Sequence, residues 1–308
     1  MPELPEVTVI VNSLNRKIKG LILESIEYDW PKKFFWGKYS MKDLKGAKVV
    51  GVERRGKVVI INLQRNSGPA SKNFKFSILI HLKLTGQLIY QDAKTRIAGG
   101  HPIPPLNLPS PNKTTRATFA FTNPSTRSTR SGQAVGHLYF NDMRKFGWVK
   151  IVKSDKQEVI SAVGDLGPDA LEIGFDEFKS RLLKKPNSRI KKLLMDQTFV
   201  SGIGNIYSDE ALWRAKIHPA RLVSSLQSLE IRELYRGIKD SLKLAIDKGG
   251  SSANSFVDSG GERGLFLTFA KAYHMTGKPC ARCKTPIVRK KMDGRSAHFC
   301  PACQQLAP

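Results

Sequence analysis

Long apolar runs are missing from this chain. No stretch of about 18 consecutive apolar residues exists, which excludes a helical membrane span, and neither end carries a lipidation signal. The opening Met1-Pro2-Glu3-Leu4-Pro5-Glu6 has no basic cluster followed by an apolar stretch. It therefore reads as neither a secretory signal nor a transit peptide, and a cytoplasmic, nucleoid-associated location is expected. Acidic residues are scarce: 26 Asp and Glu stand against 51 Lys and Arg in 308 residues, and the net charge of +25 exceeds what solubility requires. A polyanionic partner is the simplest reason, and the missing apolar segment favours nucleic acid over a membrane surface. A ribosome-bound or simply basic protein is the competing reading. Cysteine is absent before Cys280, so all four thiols fall in one C-terminal stretch.

What remains suffices for folded domains. The chain is longer than the ~100 to 200 residues of one typical domain. Its 40% apolar residues are material for two modest cores. Val7, Ile10, Val11, Leu14 and Ile18 recur at helical spacing, with Pro5 in the tolerant opening turn and Gly20 as a stop, so one amphipathic helix follows the N-terminus. From Leu21 to about Val152 the pattern turns to short apolar or alternating runs, such as Lys57 to Leu63, Phe76 to Leu82, Arg116 to Phe121 and His137 to Phe140. These predict a β-sandwich or barrel. Gln91 to Lys113, rich in Gly and Pro, and Asn123 to Gly136, rich in Ser and Thr, read as exposed or mobile loops without chemistry.

Beyond Lys153 the periodicity is helical, strongest over Phe175 to Leu183, Ser188 to Asp196, Ile206 to Ala215 and Ser225 to Lys248. The break Val200-Ser201-Gly202-Ile203-Gly204-Asn205 resembles the turn of a helix-turn-helix DNA-binding element, although a plain helical hairpin fits it as well. Tyr273 to Pro308 forms a basic module with Asp293 as its single acid. The expectation is an α+β multidomain chain. Residues 1–152 form an N-terminal helix and β-sandwich, 153–272 a helical DNA-binding domain and 273–308 a zinc-ribbon finger.

Cys280-x2-Cys283 and Cys300-x2-Cys303 set two thiolate pairs on opposing turns, as a tetrahedral zinc ion requires. Two disulfides are the alternative, disfavoured where thiols stay reduced. Four cysteines close the coordination sphere, so the metal would be a structural staple without an open catalytic position. Between the knuckles, Lys290-Lys291-Met292-Asp293-Gly294-Arg295 would hold an arginine out at a hairpin tip for phosphate or groove contact, or form a merely solvated basic turn. At the other end, removal of Met1 would expose the secondary amine of Pro2 beside Glu3 and Glu6. An α-amine titrates near ~7.7 to 8.0, so a useful fraction is unprotonated and nucleophilic at neutral pH. Attack on sugar C1′ would give an iminium, an electron sink for eliminating the neighbouring phosphates, with Glu3 as acid and base. The same residues also make an ordinary capped helix start.

Taken in order, these motifs resemble the formamidopyrimidine-DNA glycosylase family, of the endonuclease VIII superfamily. The set begins with Pro2-Glu3-Leu4-Pro5-Glu6-Val7, Arg54-Arg55-Gly56-Lys57 and His81-Leu82-x-Leu84-Thr85-Gly86. It continues with Asp142-x-Arg144-Lys145-Phe146-Gly147, Leu194-Met195-Asp196, Gly202-x-Gly204-Asn205-Ile206-Tyr207, Gly249-Gly250-Ser251-Ser252 and Cys300-Pro301-x-Cys303-Gln304. The resemblance implies a helix-two-turn-helix element and a bifunctional, monomeric enzyme. It would flip an oxidised purine such as 8-oxoguanine or a formamidopyrimidine out of damaged double-stranded DNA, excise it and cleave the strand by β,δ-elimination. It implies Pro2 as Schiff-base nucleophile, Glu3 as proton donor, and Lys57 as a phosphate-binding and strand-cleaving aid. Arg295 would lie on a zinc hairpin entering the minor groove, and Lys191 and Asn205 would hold lesion-strand phosphates. Leu84, Arg144 and Phe146 would fill the void, face the orphan base and wedge the stack, Leu84 standing where the family usually has methionine. One structural zinc on Cys280, Cys283, Cys300 and Cys303 completes the implied set.

Three features mark this chain within the family pattern. Tyr273-His274-Met275-Thr276-Gly277 lacks the arginine common before the finger, the stretch between Leu88 and Leu138 is long, and Ser255 to Phe266 corresponds to a loop closing over the flipped base. An endonuclease VIII-like enzyme for oxidised pyrimidines is the near rival, against which Leu4 and the Arg144-x-Phe146 pair speak. A non-enzymatic zinc-ribbon nucleic-acid binder is the more distant one.

Overall fold

Glu3 caps the first helix with its own neighbours. Its backbone N–H donates to Glu6 Oε2 at 2.8 Å while its side chain accepts from the Glu6 backbone, so α1 (Leu4–Ile18) starts with a reciprocal box and a proline in its first turn. The expected apolar stripe is the buried face: Val7, Ile10, Val11, Leu14 and Ile18 all lie in the core. In the computed structural model, residues 2–67, 72–100, 109–124, 134–251 and 264–306 are described.

Among the described residues ten strands follow: β1 (Ile22–Tyr28), β2 (Phe34–Phe35), β3 (Lys48–Arg55), β4 (Val58–Ser67), β5 (Lys72–His81), β6 (Gly86–Asp92), β7 (Arg96–Gly100), β8 (Thr115–Thr122), β9 (Gly136–Asp142) and β10 (Trp148–Lys153), with the short α2 (Met41–Leu44) before β3. They form one sheet in the order β2-β10-β5-β4-β3-β1-β8-β9-β6-β7. The β1–β3 junction is a single register pair, Ile22↔Lys48. Alternate residues from both sides of it, such as Val59, Ile61 and Ile80 on one and Phe119, Phe121 and Phe140 on the other, meet in one apolar cluster against α1. This is the sandwich that the alternation predicts. On the opposite face Val58, Ile60 and Leu79 are covered by Val159, Ala162 and Val163 of α3 (Lys156–Val163).

One expectation needs correcting. Gln91 to Lys113 is not all exposed loop, because Arg96–Gly100 forms β7 and pairs with β6 from Gln91↔Arg96 to Gln87↔Gly100. Its glycines misled for a physical reason: the strand lies so close to α1 that a Cβ on Gly99 would stand 2.6 Å from Ile10 Cγ1. The long stretch from Leu88 to Leu138 thus contains β7 and β8. Residues 101–108 and 125–133 within it fall outside the described residues, as do residues 255–263 of the expected closing loop.

The chain divides into two units, the first running through Gly164 and the second from Asp165 to Ser251 and from Leu265 onward. In the second, α4 (Phe175–Leu183), α5 (Ile190–Leu194), α6 (Asn205–Ala215), α7 (Ser228–Asp247) and α8 (Phe266–Phe269) precede the hairpin β11 (Val288–Met292) and β12 (Arg295–Phe299). Between α5 and α6 the chain folds around Gln197, whose amide donates to Met195 O and Ile203 O and accepts from Gly202 N–H at 3.0 Å. That side chain closes the double turn.

Candidate active site and nucleic-acid interface

Pro2 and Glu3 are both buried at the N-terminal end of α1, Glu3 being 3% exposed. The helix runs antiparallel to β3. Gly20 N–H bonds Val49 O, Asn15 Oδ1 accepts from Val52 N–H at 2.8 Å, and Arg54 Nε donates to Thr8 Oγ1 at 2.6 Å. The β3–β4 turn therefore emerges at the Pro2 end of the helix, and Lys57, 6% exposed, sits on that turn. Pro2 and Glu3 on one side and Lys57 on the other, far apart in sequence, are brought to one corner of the sandwich.

His81 joins them, a residue that the motifs contained but to which sequence reasoning assigned no task. It pairs with Val58, next to Lys57, across the β4–β5 ladder. Burial, and then the charges of Lys83 and Lys57, push its pKa down to about 3. Its Nδ1 accepts the Lys83 N–H at 3.0 Å, so the neutral ring carries its proton on Nε2 and can donate to an anion.

At this same end of the sheet, in the turn that follows His81 and in the loop before Trp148, the register partner of His81, the stack-entering candidates are brought together. Leu84 occupies the half-buried turn before β6, while Arg144 and Phe146 lie on the loop between β9 and β10. Phe146 is 46% exposed, and the Arg144 guanidinium lies 4.8 Å from its ring centroid. Asp142 at the base of this loop accepts from Thr85 Oγ1 and from Gly147 N–H at 2.7 Å.

In the second unit, Asn205 is the first residue of α6, with its Oδ1 buried and, among the described residues, without a hydrogen-bond partner, at a helix terminus where backbone N–H groups stand open. Lys191 occupies a different setting from a solvent-facing phosphate ligand. It is 4% exposed, and its ammonium donates to Asp209 Oδ1 at 2.5 Å and to Ser296 O at 2.6 Å. Asp209 Oδ2 meets the backbone N–H and ring Nδ1 of His298, each at 3.0 Å, so one buried carboxylate ties α5 and β12 to α6. Glu210, beside it, accepts the N–H groups of Lys271, Ala272 and Tyr273, and its burial raises its pKa. Sequence periodicity gave no sign of either acid, since both fall inside a helical run.

The β11–β12 hairpin turns at Asp293-Gly294, both at positive φ, and leaves Arg295 exposed at its tip. Arg189 anchors that tip through Asp293 at 3.3 Å. A groove of about 550 Å³ lies between this tip and the α5 region, with Arg189, Lys192 and Arg295 among its walls. Behind the hairpin the ligand atoms of Cys280, Cys283, Cys300 and Cys303 lie within 4.8 Å of one another. Tetrahedral Zn–S bonds of ~2.3 Å set sulfur atoms about 3.8 Å apart, so the four thiolates fit one structural zinc ion, which they hold as a closed site. Arg282 fixes the first knuckle to α6: it stacks 3.8 Å from the Trp213 ring centroid and donates to Trp213 O and Arg214 O.

Three segments of the chain match known domains. Residues 1–149 match the formamidopyrimidine-DNA glycosylase N-terminal domain, 166–257 its H2TH domain, and 277–306 a zinc finger found in FPG and IleRS. The formamidopyrimidine-DNA glycosylase of Pelotomaculum thermopropionicum is 36% identical over 309 residues, covering 99% of this chain and 100% of the relative. Among solved structures, a Lactococcus lactis FPG mutant with Fapy-dG containing DNA superposes with a TM-score of 0.79 at 32% identity, over 99% of this chain and 100% of that one. A complex between the Lactococcus lactis Fpg and DNA containing an abasic site gives 0.78 at 31% identity, over 98% and 99%. With all three domains matched in order and a relative aligned end to end, the chain belongs to the formamidopyrimidine-DNA glycosylase family.

Proposed function

We propose that this protein is a base-excision repair enzyme, a bifunctional DNA glycosylase and abasic-site lyase that removes oxidised purines from damaged duplex DNA. The observation that carries the reading is the corner where Pro2, Glu3 and Lys57 converge. Once Met1 is removed, the Pro2 amine attacks C1′ and displaces the base, whose departure Glu3 assists by proton transfer. The C1′–O4′ bond then breaks as O4′ takes up a proton, which opens the sugar ring to a C1′ iminium; that iminium draws electrons from C2′, so a proton leaves there as the 3′ phosphate departs, and a second elimination releases the 5′ phosphate. Lys57 and the Nε2–H of His81 hold phosphate oxygens during these steps. Glu3 keeps its place because the same carboxylate caps α1.

The remaining candidates position DNA. Arg295 reaches the backbone or minor groove from the zinc hairpin, and Asn205 holds a phosphate at the start of α6. Leu84, Arg144 and Phe146 occupy the space left by the flipped nucleotide. Lys191 acts through its ties to Asp209 and Ser296, keeping the finger seated. The zinc ion supplies rigidity alone. The enzyme works as a monomer in the cytoplasm, and among the described residues no helix is long and apolar enough to cross a membrane.

Borohydride trapping tests the reading. The protein lacking Met1, mixed with duplex carrying 8-oxoguanine opposite cytosine, should form a covalent complex and cleave the strand, and Pro2→Gly or an N-terminally tagged form should do so poorly. Trapping only on thymine-glycol DNA would move the protein to the pyrimidine-specific branch. Binding without trapping on any lesion or abasic site would make it a non-enzymatic binder.

A further inference from the structure

The Leu84 turn and the Arg144–Phe146 loop leave the sheet side by side, because Gly86 at the start of β6 is the register partner of Asp142 at the end of β9. Asp142 is 1% exposed, yet the loop that it ties through Arg144 and Gly147 carries residues that are not: Met143 and Phe146 are 48% and 46% exposed. Every polar group of Asp142 is engaged. Its N–H donates to Thr114 O at 2.8 Å, and its carbonyl accepts from Arg116 Nε at 3.0 Å. Oδ1 accepts from Thr85 Oγ1 and from Arg144 N–H at 3.2 Å, and Oδ2 accepts from Gly147 N–H at 2.7 Å. Arg144 N–H also reaches Thr85 Oγ1 at 3.2 Å, closing the link between the two turns. At the far side of the loop, a Cβ on Gly147 would stand 2.6 Å from Phe140 Cζ and 3.1 Å from Asp142 Oδ2, so the residue type there is fixed by the approach of the carboxylate and the ring.

We propose that Asp142 is a positioning residue for nucleotide flipping: with Thr85 it latches the two turns into one rigid wedge, so that Leu84, Arg144 and Phe146 enter the base stack together. The proposal rests on the void-filling reading of those three side chains. Opening a stacked pair costs a few kcal/mol, and loops that yielded separately under that load would lose the contacts meant to offset it. A latch that is already closed before DNA arrives removes the cost of ordering the loops on binding. Neither Asp142 nor Thr85 need touch the reacting atoms, so their effect should fall on extrusion of the base and spare the eliminations that follow.

Asp142→Asn keeps the shape but turns an N–H2 group toward the N–H donors of Arg144 or Gly147. Thr85→Val removes the linking hydroxyl at nearly constant volume, and serves if the first variant folds poorly. Single-turnover excision of 8-oxoguanine opposite cytosine should fall at least about tenfold in either, while cleavage at a preformed abasic site stays within about threefold. Equal losses on both substrates, or no loss on either, would overturn the latch. Leu84→Ala and Phe146→Ala in the same assay separate the two levels. If they leave excision intact, the void-filling reading fails and takes the latch with it; if they slow excision while Asp142→Asn and Thr85→Val do not, the latch alone fails.

Discussion

Lys191 and Asp209 form a buried ion pair at 2.5 Å, the lysine side chain 5% and the aspartate 0% exposed. Deleting either partner leaves the other charge buried and uncompensated, which costs ~3 to 5 kcal/mol. Lys191→Ala and Asp209→Ala should each lower the unfolding free energy of the second unit, read from urea denaturation, by that order. The ionic-strength dependence of DNA affinity separates this tether from a direct phosphate ligand. Loss of one phosphate contact reduces the slope of log affinity against log salt by about 1. Arg295→Ala should show that reduction, whereas Lys191→Ala should leave the slope unchanged.

Removing zinc should disorder the finger without unfolding the sandwich, because the hairpin is a two-stranded element whose small core rests on Cys280, Ile287, Cys300 and their neighbours. One equivalent of zinc per chain is expected by metal analysis. A chelator should abolish duplex binding while the β-sheet circular dichroism of the first unit persists. Cys300→Ser should reproduce that result.

Glu3 has two tasks that one substitution divides. Glu3→Gln retains an oxygen that can accept the Glu6 N–H, so the cap survives and stability should change by less than about 1 kcal/mol. Proton transfer is lost, and single-turnover excision should drop by ~10² to 10⁴. A thermal melt alongside the rate would expose a folding defect if the two losses were one.

The depressed pKa of His81, about 3, gives a pH signature of definite sign. An unfolded histidine takes a proton near pH ~6.5, and the folded one resists until the pH is far lower. The unfolded state then binds more protons, so the His81 contribution to stability is fully present above about pH 6.5 and is lost as pH falls toward 3. Nuclear magnetic resonance of the ring carbons should show no titration of this residue between pH 5 and 8. His81→Gln should flatten the acid limb of the stability profile. Phosphate holding through Nε2–H should accordingly be independent of pH across the neutral range.

The sequence by itself determined the parts whose signal is local. The 3.6-residue stripe of α1, the alternating strands and the four-cysteine spacing are legible because periodicity and ligand spacing act over a few residues, whereas the Pro2-Glu3 terminus, by spacing alone an ordinary helix start, took its catalytic reading from the ordered family motifs. The excess of lysine and arginine likewise pointed to a polyanion before any fold was known.

Tertiary structure alone decided what depends on approach between distant segments. Gly99 reads as a loop residue until α1 is seen against it, and β7 was hidden for that reason. Asp209 and Glu210 look like ordinary polar positions in a helix. Only the packing of the segment at Lys271–Tyr273 on Glu210 and of His298 on Asp209 makes them buried acceptors, because a carboxylate withdrawn from water must find donors wherever the fold supplies them. Lys191, to which the family resemblance gives a phosphate contact, is by the same logic paired inside the fold with Asp209. Thr85 and Asp142, 57 residues apart, meet because the β6–β9 register places their turns at one edge, and no local pattern encodes that register.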